Sequence, residues 1–396
     1  MSTTSEHPRI VVLGGGYAGT MAANRLSAAD ADVVVVNARP DFVHRIRLHQ
    51  WVSGTGEAVA DYGRVLAAGV RLCVDTAVRI DVAAGRVELA SGESLDYDHL
   101  VYAVGSTIVG DPGIPGAAEH GFAVGEWEAA QRLRARLADS DDDGWVTVIG
   151  AGLTGVETAA ELAGAGRRVR LVASGEVLAA FADRGRRYTA RWLAKAGVAV
   201  FDHHRVVAVG PDTVTVIDGS GERAVVPSAT TILTIGFRAP GLAADSGLTT
   251  DSLGRLVTDE TLTSVDDPRI VGAGDAVAPS GVAFRMSCQA ANQLGPHAAD
   301  TVLAVMAGAA PQPVSVAFVG QCASLGRHSA VIQLTERDDR PKSRAISGRT
   351  GAWAKELVCR SVLWGLRMEA RRPGFTPAMR GQERSALSVG ADAVNR

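Results

Sequence analysis

Two glycine motifs mark places where the chain could bind phosphate groups. The first is Gly14-Gly15-Gly16-Tyr17-Ala18-Gly19, and the second, 136 residues later, is Gly150-Ala151-Gly152-Leu153-Thr154-Gly155. In this G-x-G-x-x-G spacing the first glycine makes a tight turn, the second lets the backbone approach a pyrophosphate, and the third lets a helix pack on a strand. The phosphates then lie at the helix N-terminus. Each motif therefore predicts a dinucleotide site.

The elements around each motif are those that such a site needs. β-Branched runs that predict strands flank the first motif at residues 10–12 and 33–36, and the second at residues 146–149 and 169–172. Both regions read as strand, glycine turn, helix, strand. Two such units in one chain indicate an internal duplication.

A carboxylate completes the pattern later in the chain. Asp275 follows Gly274 and the strand-like run at residues 269–272, and it precedes a predicted helix over residues 287–307. There it could accept a hydrogen bond from a ribityl hydroxyl while the start of the helix faces phosphate. The alternative is an ordinary helix N-cap.

Composition indicates a large globular protein and excludes several other classes. The chain has 396 residues, of which 46% are hydrophobic, so we expect two or three domains. Residues 337–396 contain 13 Lys and Arg against 6 Asp and Glu, so the basic part is the C-terminal region. Only three of the 40 basic residues are lysine, which we interpret as coding bias. We expect no nucleic acid partner.

The cysteines and the N-terminus favour a cytoplasmic protein without a metal. Cys73, Cys288, Cys322 and Cys359 have neither disulfide-framework nor zinc-site spacing. Residues 1–8 do not resemble a secretory signal, and no apolar window of 18 or more residues is free of charge.

Residues 8–320 resemble the FAD-dependent pyridine nucleotide-disulphide oxidoreductase superfamily, in particular its type II NADH:quinone oxidoreductases and NAD(P)H dehydrogenase-like flavoproteins. The resemblance rests on both glycine motifs, on Ala103-Val104-Gly105-Ser106 and on Gly274-Asp275. It implies an α/β fold with two Rossmann-like dinucleotide-binding domains, one for FAD and one for NAD(P)H, plus a C-terminal α/β extension. Residues 38–55 contain no cysteine, which disfavours the dithiol branch of the superfamily.

The resemblance also implies domain boundaries. We expect the FAD-binding domain at residues 1–111 and 240–313, and the NAD(P)H-binding domain at residues 112–239. A C-terminal domain at 314–372 and a flexible tail at 373–396 follow.

The resemblance implies catalytic roles for three residues. Glu157, in Gly155-Val156-Glu157-Thr158-Ala159-Ala160-Glu161, would position the nicotinamide. Gln289 and Gln293 match a Q-x3-Q segment beside the flavin and could donate hydrogen bonds to a flavin or quinone carbonyl. The alternative is a pair of polar side chains one turn apart on a solvated helix face.

The same resemblance supplies the cofactor-binding residues. They are Gly14, Gly16, Tyr17, Ala18, Gly19, Asn37, Ala38, Arg39, Arg45, Val78, Ala103, Gly105, Gly150, Gly152, Thr154, Gly155, Ser174, Gly236, Gly274 and Asp275.

Two positions depart from the family pattern. Asn37 and Ala173 stand where the two second strands usually end in an acid that binds ribose hydroxyls. Without an acid at Ala173, a 2′-phosphate is not repelled. Ser174 or the nearby arginines at positions 184, 186 and 187 could contact it, so NADPH is as plausible as NADH.

The predicted activity is reduction of FAD by NAD(P)H and transfer of the electrons to a quinone or a quinone-like small-molecule acceptor. The two missing acids leave open a pathway-specific flavoenzyme that acts on a small organic substrate. A third reading is a redox sensor with slow turnover.

Residues 353–372 predict a basic amphipathic helix. One face carries Trp353, Leu357, Ser361, Trp364 and Met368, and the charges come from Lys355, Arg360, Arg367, Arg371 and Arg372. Such a helix could lie on an anionic membrane, which would make the protein membrane-peripheral. It could equally dock on the protein's own core or on a second copy in a homodimer.

Overall fold

The computed structural model describes residues 7–108, 113–139 and 144–381. Its strands in chain order are β1 (Arg9–Leu13), β2 (Asp32–Asn37), β3 (Asp41–Val43), β4 (Val59–Asp61), β5 (Arg71–Val74), β6 (Ala77–Asp81), β7 (Arg86–Leu89), β8 (Ser94–Asp96), β9 (His99–Tyr102), β10 (Thr107–Ile108), β11 (Gly121–Ala123), β12 (Trp145–Ile149), β13 (Arg168–Val172), β14 (Ala199–Phe201), β15 (Arg205–Val209), β16 (Thr213–Ile217), β17 (Arg223–Pro227), β18 (Thr230–Leu233), β19 (Phe237–Arg238), β20 (Leu256–Thr258), β21 (Ile270–Gly272), β22 (Val277–Pro279), β23 (Gly320–Ser324), β24 (Ala330–Thr335) and β25 (Pro341–Ser347). Its α-helices are α1 (Tyr17–Leu26), α2 (Leu48–Val52), α3 (Ala117–His120), α4 (Trp127–Asp139), α5 (Leu153–Gly164), α6 (Asp183–Lys195), α7 (Leu242–Asp245), α8 (Cys288–Met306) and α9 (Gly348–Arg371).

The first parallel sheet has the strand order β21-β9-β1-β2-β5. Its central strands are valine-rich and buried, as expected for a sheet covered on both faces. Strand β21 comes from much later in the chain, so this unit is discontinuous in sequence. Helices α1 and α8 pack closely. Gly295 permits this approach, since a Cβ at that position would lie 2.3 Å from the Ala18 carbonyl oxygen.

The second parallel sheet repeats this plan with the order β11-β18-β12-β13-β14. Strand β12, helix α5 and strand β13 correspond to β1, α1 and β2. The short antiparallel pair β10 and β19 lies where the chain passes between the two sheet units. The predicted α/β fold with two Rossmann-like domains is confirmed.

The C-terminal unit consists of the antiparallel sheet β23-β24-β25 and the helix α9. This helix begins five residues before its predicted start. Cys359, Val362 and Leu366 form its buried face, and the helix packs on α1 and on β24. The expectation that Lys355 supplies surface charge is wrong, because its side chain is buried on this inner face.

The segment after α9 is attached to the body of the protein. The backbone N–H groups of Gly374 and Thr376 donate to Glu369, and the N–H of Gly381 donates to Ser315. The predicted flexible tail therefore does not begin at residue 373. Its remainder, residues 382–396, lies outside the described residues, as do residues 109–112 at the first domain boundary.

Two features are absent from the ranges 7–108, 113–139 and 144–381. No helix there combines the length and apolar character that a membrane span requires. The same ranges hold no group of three or more His, Cys, Asp or Glu side chains arranged to hold a metal ion.

A buried ion pair fixes α9 to the first unit. Arg25 on α1 donates its Nε–H to Glu369 Oε1 at 2.8 Å, and Glu369 is fully buried. Replacing Arg25 with methionine leaves that carboxylate without its guanidinium partner. We expect Arg25→Met to lower the free energy of unfolding by about 3 kcal/mol, measured by urea denaturation.

The matched control is Arg360→Met on the outer face of α9. Arg360 pairs with Glu356 one turn away, and its side chain is largely exposed. Its loss should cost less than about 1 kcal/mol. Equal effects of the two substitutions would contradict the role given to the Arg25–Glu369 pair.

Candidate active site

The two glycine motifs fold into loops of the same geometry. Gly16 and Gly152 are the N-cap residues of α1 and α5, with φ and ψ of −73° and −164° in one loop and −74° and −169° in the other. Gly14 and Gly150 have φ of +95° and +105°, values that L side chains rarely adopt. The duplication inferred from the sequence therefore extends to backbone conformation.

The last glycine of each motif sets the distance between helix and strand. A Cβ on Gly19 would lie 1.8 Å from the Gly14 carbonyl oxygen, and a Cβ on Gly155 would lie 1.8 Å from that of Gly150. The middle glycine behaves differently, because a Cβ on Gly16 or on Gly152 would meet no atom within 4 Å. The chain thus leaves open space beside two helix N-termini, which fits a pyrophosphate in each loop.

Three side chains hold the first loop in place. Asn37 accepts from the Gly15 N–H at 3.0 Å and donates to the Arg39 carbonyl at 2.8 Å. Tyr62 and Thr20 donate to the Gly15 carbonyl. Asn37, which stands where an acid usually binds ribose, is therefore already engaged with the glycine loop.

Asp275 joins three strand and helix ends at the edge of the first sheet. Its Oδ2 accepts from Ser106 Oγ at 2.8 Å, and its Oδ1 accepts from the N–H of Ser287, the N-cap of α8. Arg45 donates to Ser106 and to the Gly125 carbonyl. This cluster lies next to Gly105, where φ is +73°. The predicted residues Arg45, Gly105 and Asp275 therefore lie together.

Other predicted FAD-site residues lie in different surroundings. Ala103 is packed beneath Gly14, and Gly274 against Ala18. Arg39 forms an ion pair with Glu128, and Ala38 is exposed just after β2. Val78 lies on β6 with 51% of its surface exposed.

The side chain of Tyr17 points into the core rather than toward the open loop. Its hydroxyl lies 2.9 Å from His44 Nδ1, and His44 Nε2 lies 3.1 Å from the Cys359 carbonyl oxygen on α9. Burial lowers the pKa of His44 to about 4, so its ring is neutral. The first glycine motif is thereby linked to the C-terminal unit.

The second loop has fewer charged groups available for a cofactor than the sequence suggested. Thr154 is the second residue of α5, and Ser174 and Gly236 are exposed after β13 and β18. Arg186 forms ion pairs with Glu176 and Asp183. A 2′-phosphate contact from Arg186 would therefore compete with two carboxylates.

Glu157 is the centre of a buried polar cluster drawn from all three units. Its Oε1 lies 2.8 Å from Lys355 Nζ on α9 and accepts from the Ser324 N–H on β23 at 3.0 Å. His49 on α2 lies 3.8 Å from its Oε2 and within 3.1 Å of Ser324 Oγ. Lys355 also donates to the Cys322 carbonyl.

The ion pair determines the protonation of this cluster. Burial by itself raises the pKa of Glu157, but the Lys355 ammonium, with His49 and the Ser324 N–H, holds that pKa below its ordinary value. Burial opposes the charge on Lys355 too, yet the nearby Cys322 and Glu157 bring its pKa well above the ordinary value. Burial lowers the pKa of His49 to about 4. Near neutral pH the cluster is thus a carboxylate, an ammonium and a neutral imidazole.

The two predicted catalytic glutamines hold a backbone segment. Gln293 donates to the Ala317 carbonyl and accepts from the Ala317 N–H, both at 3.0 Å. The Gln289 amide, oriented to satisfy both groups, donates to the Gly320 carbonyl and accepts from the Val319 N–H. Neither is on a freely solvated helix face. Both N–H groups of Gln293 are used, because the second donates to the Gln289 carbonyl, so donation by Gln293 to a flavin or quinone carbonyl would require a bond to break. Gln289 keeps one N–H that is not used in this way.

All four cysteines are free thiols. Burial raises the pKa of Cys288 to about 11, and Cys322 lies close enough to add to the effect. A thiol with this pKa is a poor nucleophile at neutral pH, as expected for a buried structural cysteine.

Sequence reasoning missed Lys355, Ser324 and His49 as partners of Glu157. The three lie on different elements, and no local spacing connects them. One signal was available: Lys355 is one of only three lysines in the chain, and it falls in the predicted amphipathic helix.

Comparison with known proteins identifies the family. Residues 8–300 match the pyridine nucleotide-disulphide oxidoreductase family. An NADH dehydrogenase-like protein of Mycobacterium tuberculosis is 34% identical over 328 residues, which cover 74% of this chain and 80% of that protein. The chain belongs to this family. It is an oxidoreductase whose cofactors are FAD and a nicotinamide nucleotide.

Two further proteins are similar over most of their length. A type II NADH:quinone oxidoreductase of Staphylococcus haemolyticus is 27% identical, over 89% of this chain and 94% of that protein. The solved structure of NDH2 from Plasmodium falciparum in complex with NADH superimposes with a TM-score of 0.78 at 15% identity, over 92% of this chain and 97% of that one. This second likeness shows a shared fold.

The Glu157–Lys355 pair predicts how stability depends on pH. In the wild type the lowered pKa of Glu157 means that the pair's contribution is present above the unfolded-state pKa of about 4.3 and is lost as pH falls through the folded-state value. In Lys355→Met the buried Glu157 carboxyl has no counter-charge, so its folded-state pKa rises above the unfolded-state value. The folded variant is therefore destabilised progressively as pH rises toward that raised pKa. We expect the stability deficit of the variant to grow from about pH 5 to pH 8.

The measurement is the free energy of urea-induced unfolding of the flavin-loaded protein across this range. Lys342→Met is the matched control, because Lys342 forms a half-exposed pair with Glu336. A Lys355→Met deficit that does not change with pH would contradict the assignment.

Proposed function

We propose that the protein oxidises NAD(P)H and passes the electrons, through FAD, to a quinone or quinone-like acceptor. The observation that carries the proposal is the pair of open glycine loops with the same backbone geometry in one chain. One loop would hold FAD and the other the nicotinamide nucleotide. When bound, FAD supplies the ability to accept a hydride and to release electrons to the acceptor.

The chain's own residues would orient the reactants. The α1 N-terminus and the open space at Gly16 would hold the pyrophosphate of FAD, and Asp275 with Ser106 would bind the ribityl chain. Gly152 and the N-terminus of α5 would hold the second nucleotide. The buried Glu157 carboxylate, fixed by Lys355, would set the position and charge of the nicotinamide side of the site.

Relatives and cysteine placement support the choice of acceptor. A protein similar to this chain over nearly its full length is named as a type II NADH:quinone oxidoreductase. A dithiol acceptor would need a redox cysteine pair, and residues 38–55 contain no cysteine. The nicotinamide is NADH or NADPH, since Ala173 offers no carboxylate to repel a 2′-phosphate.

Matched substitutions in the two loops test this assignment. Gly16→Ala and Gly152→Ala each add a methyl group where no protein atom lies within 4 Å, so both variants should fold. In Gly16→Ala the added Cβ takes space from the FAD pyrophosphate, and we expect the affinity for FAD to fall at least about tenfold. In Gly152→Ala we expect FAD to be retained and the KM for NAD(P)H to rise by a similar factor.

The measurements are flavin content after purification and anaerobic bleaching of the flavin absorbance by NADH or NADPH. A colourless wild-type protein that does not take up added FAD would contradict the proposal. Bleaching without turnover on menadione would favour the redox sensor. Turnover on a small organic substrate but not on a quinone would favour the pathway-specific enzyme.

We also propose that the outer face of α9 contacts a membrane and makes the protein membrane-peripheral. Trp353 and Trp364 are 71% and 54% exposed, and Leu357 and Val358 are exposed beside them. Arg360 and Arg371 are exposed on the same helix. Exposed aromatic side chains with arginines are typical of a helix lying in the interface of an anionic bilayer.

The test is co-sedimentation with vesicles of anionic phospholipid. We expect Trp353→Ser/Trp364→Ser to weaken partitioning at least about tenfold, because two large apolar side chains no longer enter the interface. The control, Val225→Ser/Val265→Ser, removes two exposed apolar side chains outside α9. Equal pelleting of all three proteins would contradict the proposal. A wild-type dimer that dissociates in the tryptophan variant would instead assign this face to a homodimer.

A further inference from the structure

A cavity of about 480 Å³ lies one helical turn beyond Glu157 on α5 and away from the second glycine loop. It is bounded by α5, α6, the residues 325–329 and the start of α9. Gly164, the last residue of α5, lines it, whereas the second glycine loop precedes the first turn of that helix. Because the 12 residues of α5 span about 18 Å, the cavity and the glycine loop are at opposite ends. Its volume is in the range of small-molecule sites.

One oxygen of a buried carboxylate in this cavity has no hydrogen-bond donor among the described residues. Glu161 is 1% exposed and lines the cavity. Its Oε2 accepts from Thr55 Oγ1 at 2.8 Å, whereas its Oε1 has no hydrogen-bond partner in the part of the chain that the structure describes. Burial raises the pKa of Glu161, and the Thr55 hydroxyl and the Arg327 guanidinium offset this only in part. An unpaired buried acceptor is costly, and a ligand with an N–H or O–H group would satisfy it.

The cavity also presents cations and aromatic rings. Arg327 and Arg349 line it and are exposed, and neither forms an ion pair with a carboxylate of the described residues. Tyr188 and Trp192 contribute ring surface. The Tyr188 hydroxyl is held by Ser329 at 2.9 Å, which fixes that ring. Guanidinium groups favour a carboxylate or phosphate, and the rings favour a flat apolar body.

We propose that this cavity binds a small aromatic anion that carries an N–H or O–H donor. The ring lies against Trp192 and Tyr188, the donor bonds to Glu161, and the anionic group pairs with Arg327 and Arg349. The proposed site does not depend on the assignment of the glycine loops, so its test is independent of the proposed NAD(P)H reaction.

Isothermal titration calorimetry of the flavin-loaded protein with indole-3-propionate tests the proposal, because this probe has a ring, an N–H donor and a carboxylate. We expect saturable binding with one site per chain. Arg327→Gln and Glu161→Met should each weaken it about tenfold, as loss of a charged hydrogen-bond partner does. Arg327 is exposed, so its substitution should not disturb folding. The control is Arg205→Gln, an exposed arginine on β15 that does not line the cavity.

Two further probes separate the contacts. We expect 3-(1-naphthyl)propionate, which lacks the N–H group, to bind more weakly than the indole and to be insensitive to Glu161→Met. Tryptamine, with the opposite charge, should not be weakened by Arg327→Gln. The proposal is overturned if indole-3-propionate gives no saturable heat, or if its affinity is the same in the wild type and in both cavity variants.

Discussion

The ion pair between Glu157 and Lys355 is the constraint on which the arrangement of the three units depends. Each charge is costly to bury alone, so helix α9 must place Lys355 within reach of helix α5. Ser324 on β23 and His49 on α2 complete the same cluster. Because the two charges lie on α5 and α9, the second nucleotide-binding unit and the C-terminal unit cannot separate without leaving each charge uncompensated, and His49 adds a neutral contact from the first unit.

The glycine loops impose a second constraint, which is local. Each loop needs its helix to approach its strand so closely that a side chain at Gly19 or Gly155 would collide with backbone. The same steric rule appears twice, once in each of the two parallel-sheet units. Gln289 and Gln293 on α8 attach the segment that leads into the C-terminal unit by pairing with backbone at residues 317–320.

The fold and the cofactor class could be predicted because their determinants are close together in the sequence. The β-branched strand runs and the spacing of Gly14, Gly16 and Gly19 can be recognised within about 30 residues of sequence. The ion-pair partner of Glu157 could not be predicted from the sequence, because Lys355 lies 198 residues away. Helix α9 carries apolar residues on both faces, Cys359 and Val362 inside and Trp353 and Trp364 outside, so hydrophobic periodicity did not show which face meets the core.

The burial of Lys355 explains a peculiarity of the amino-acid usage. Of the 40 basic residues 37 are arginine, so lysine is the exception in this chain. Lys195 and Lys342 are at the surface, where the exchange would be nearly neutral. Lys355 is enclosed between a carboxylate and a main-chain oxygen, and the wide, planar guanidinium group does not replace a compact ammonium there. Exchange of Lys355 for arginine would thus meet a steric limit that the two surface lysines do not have.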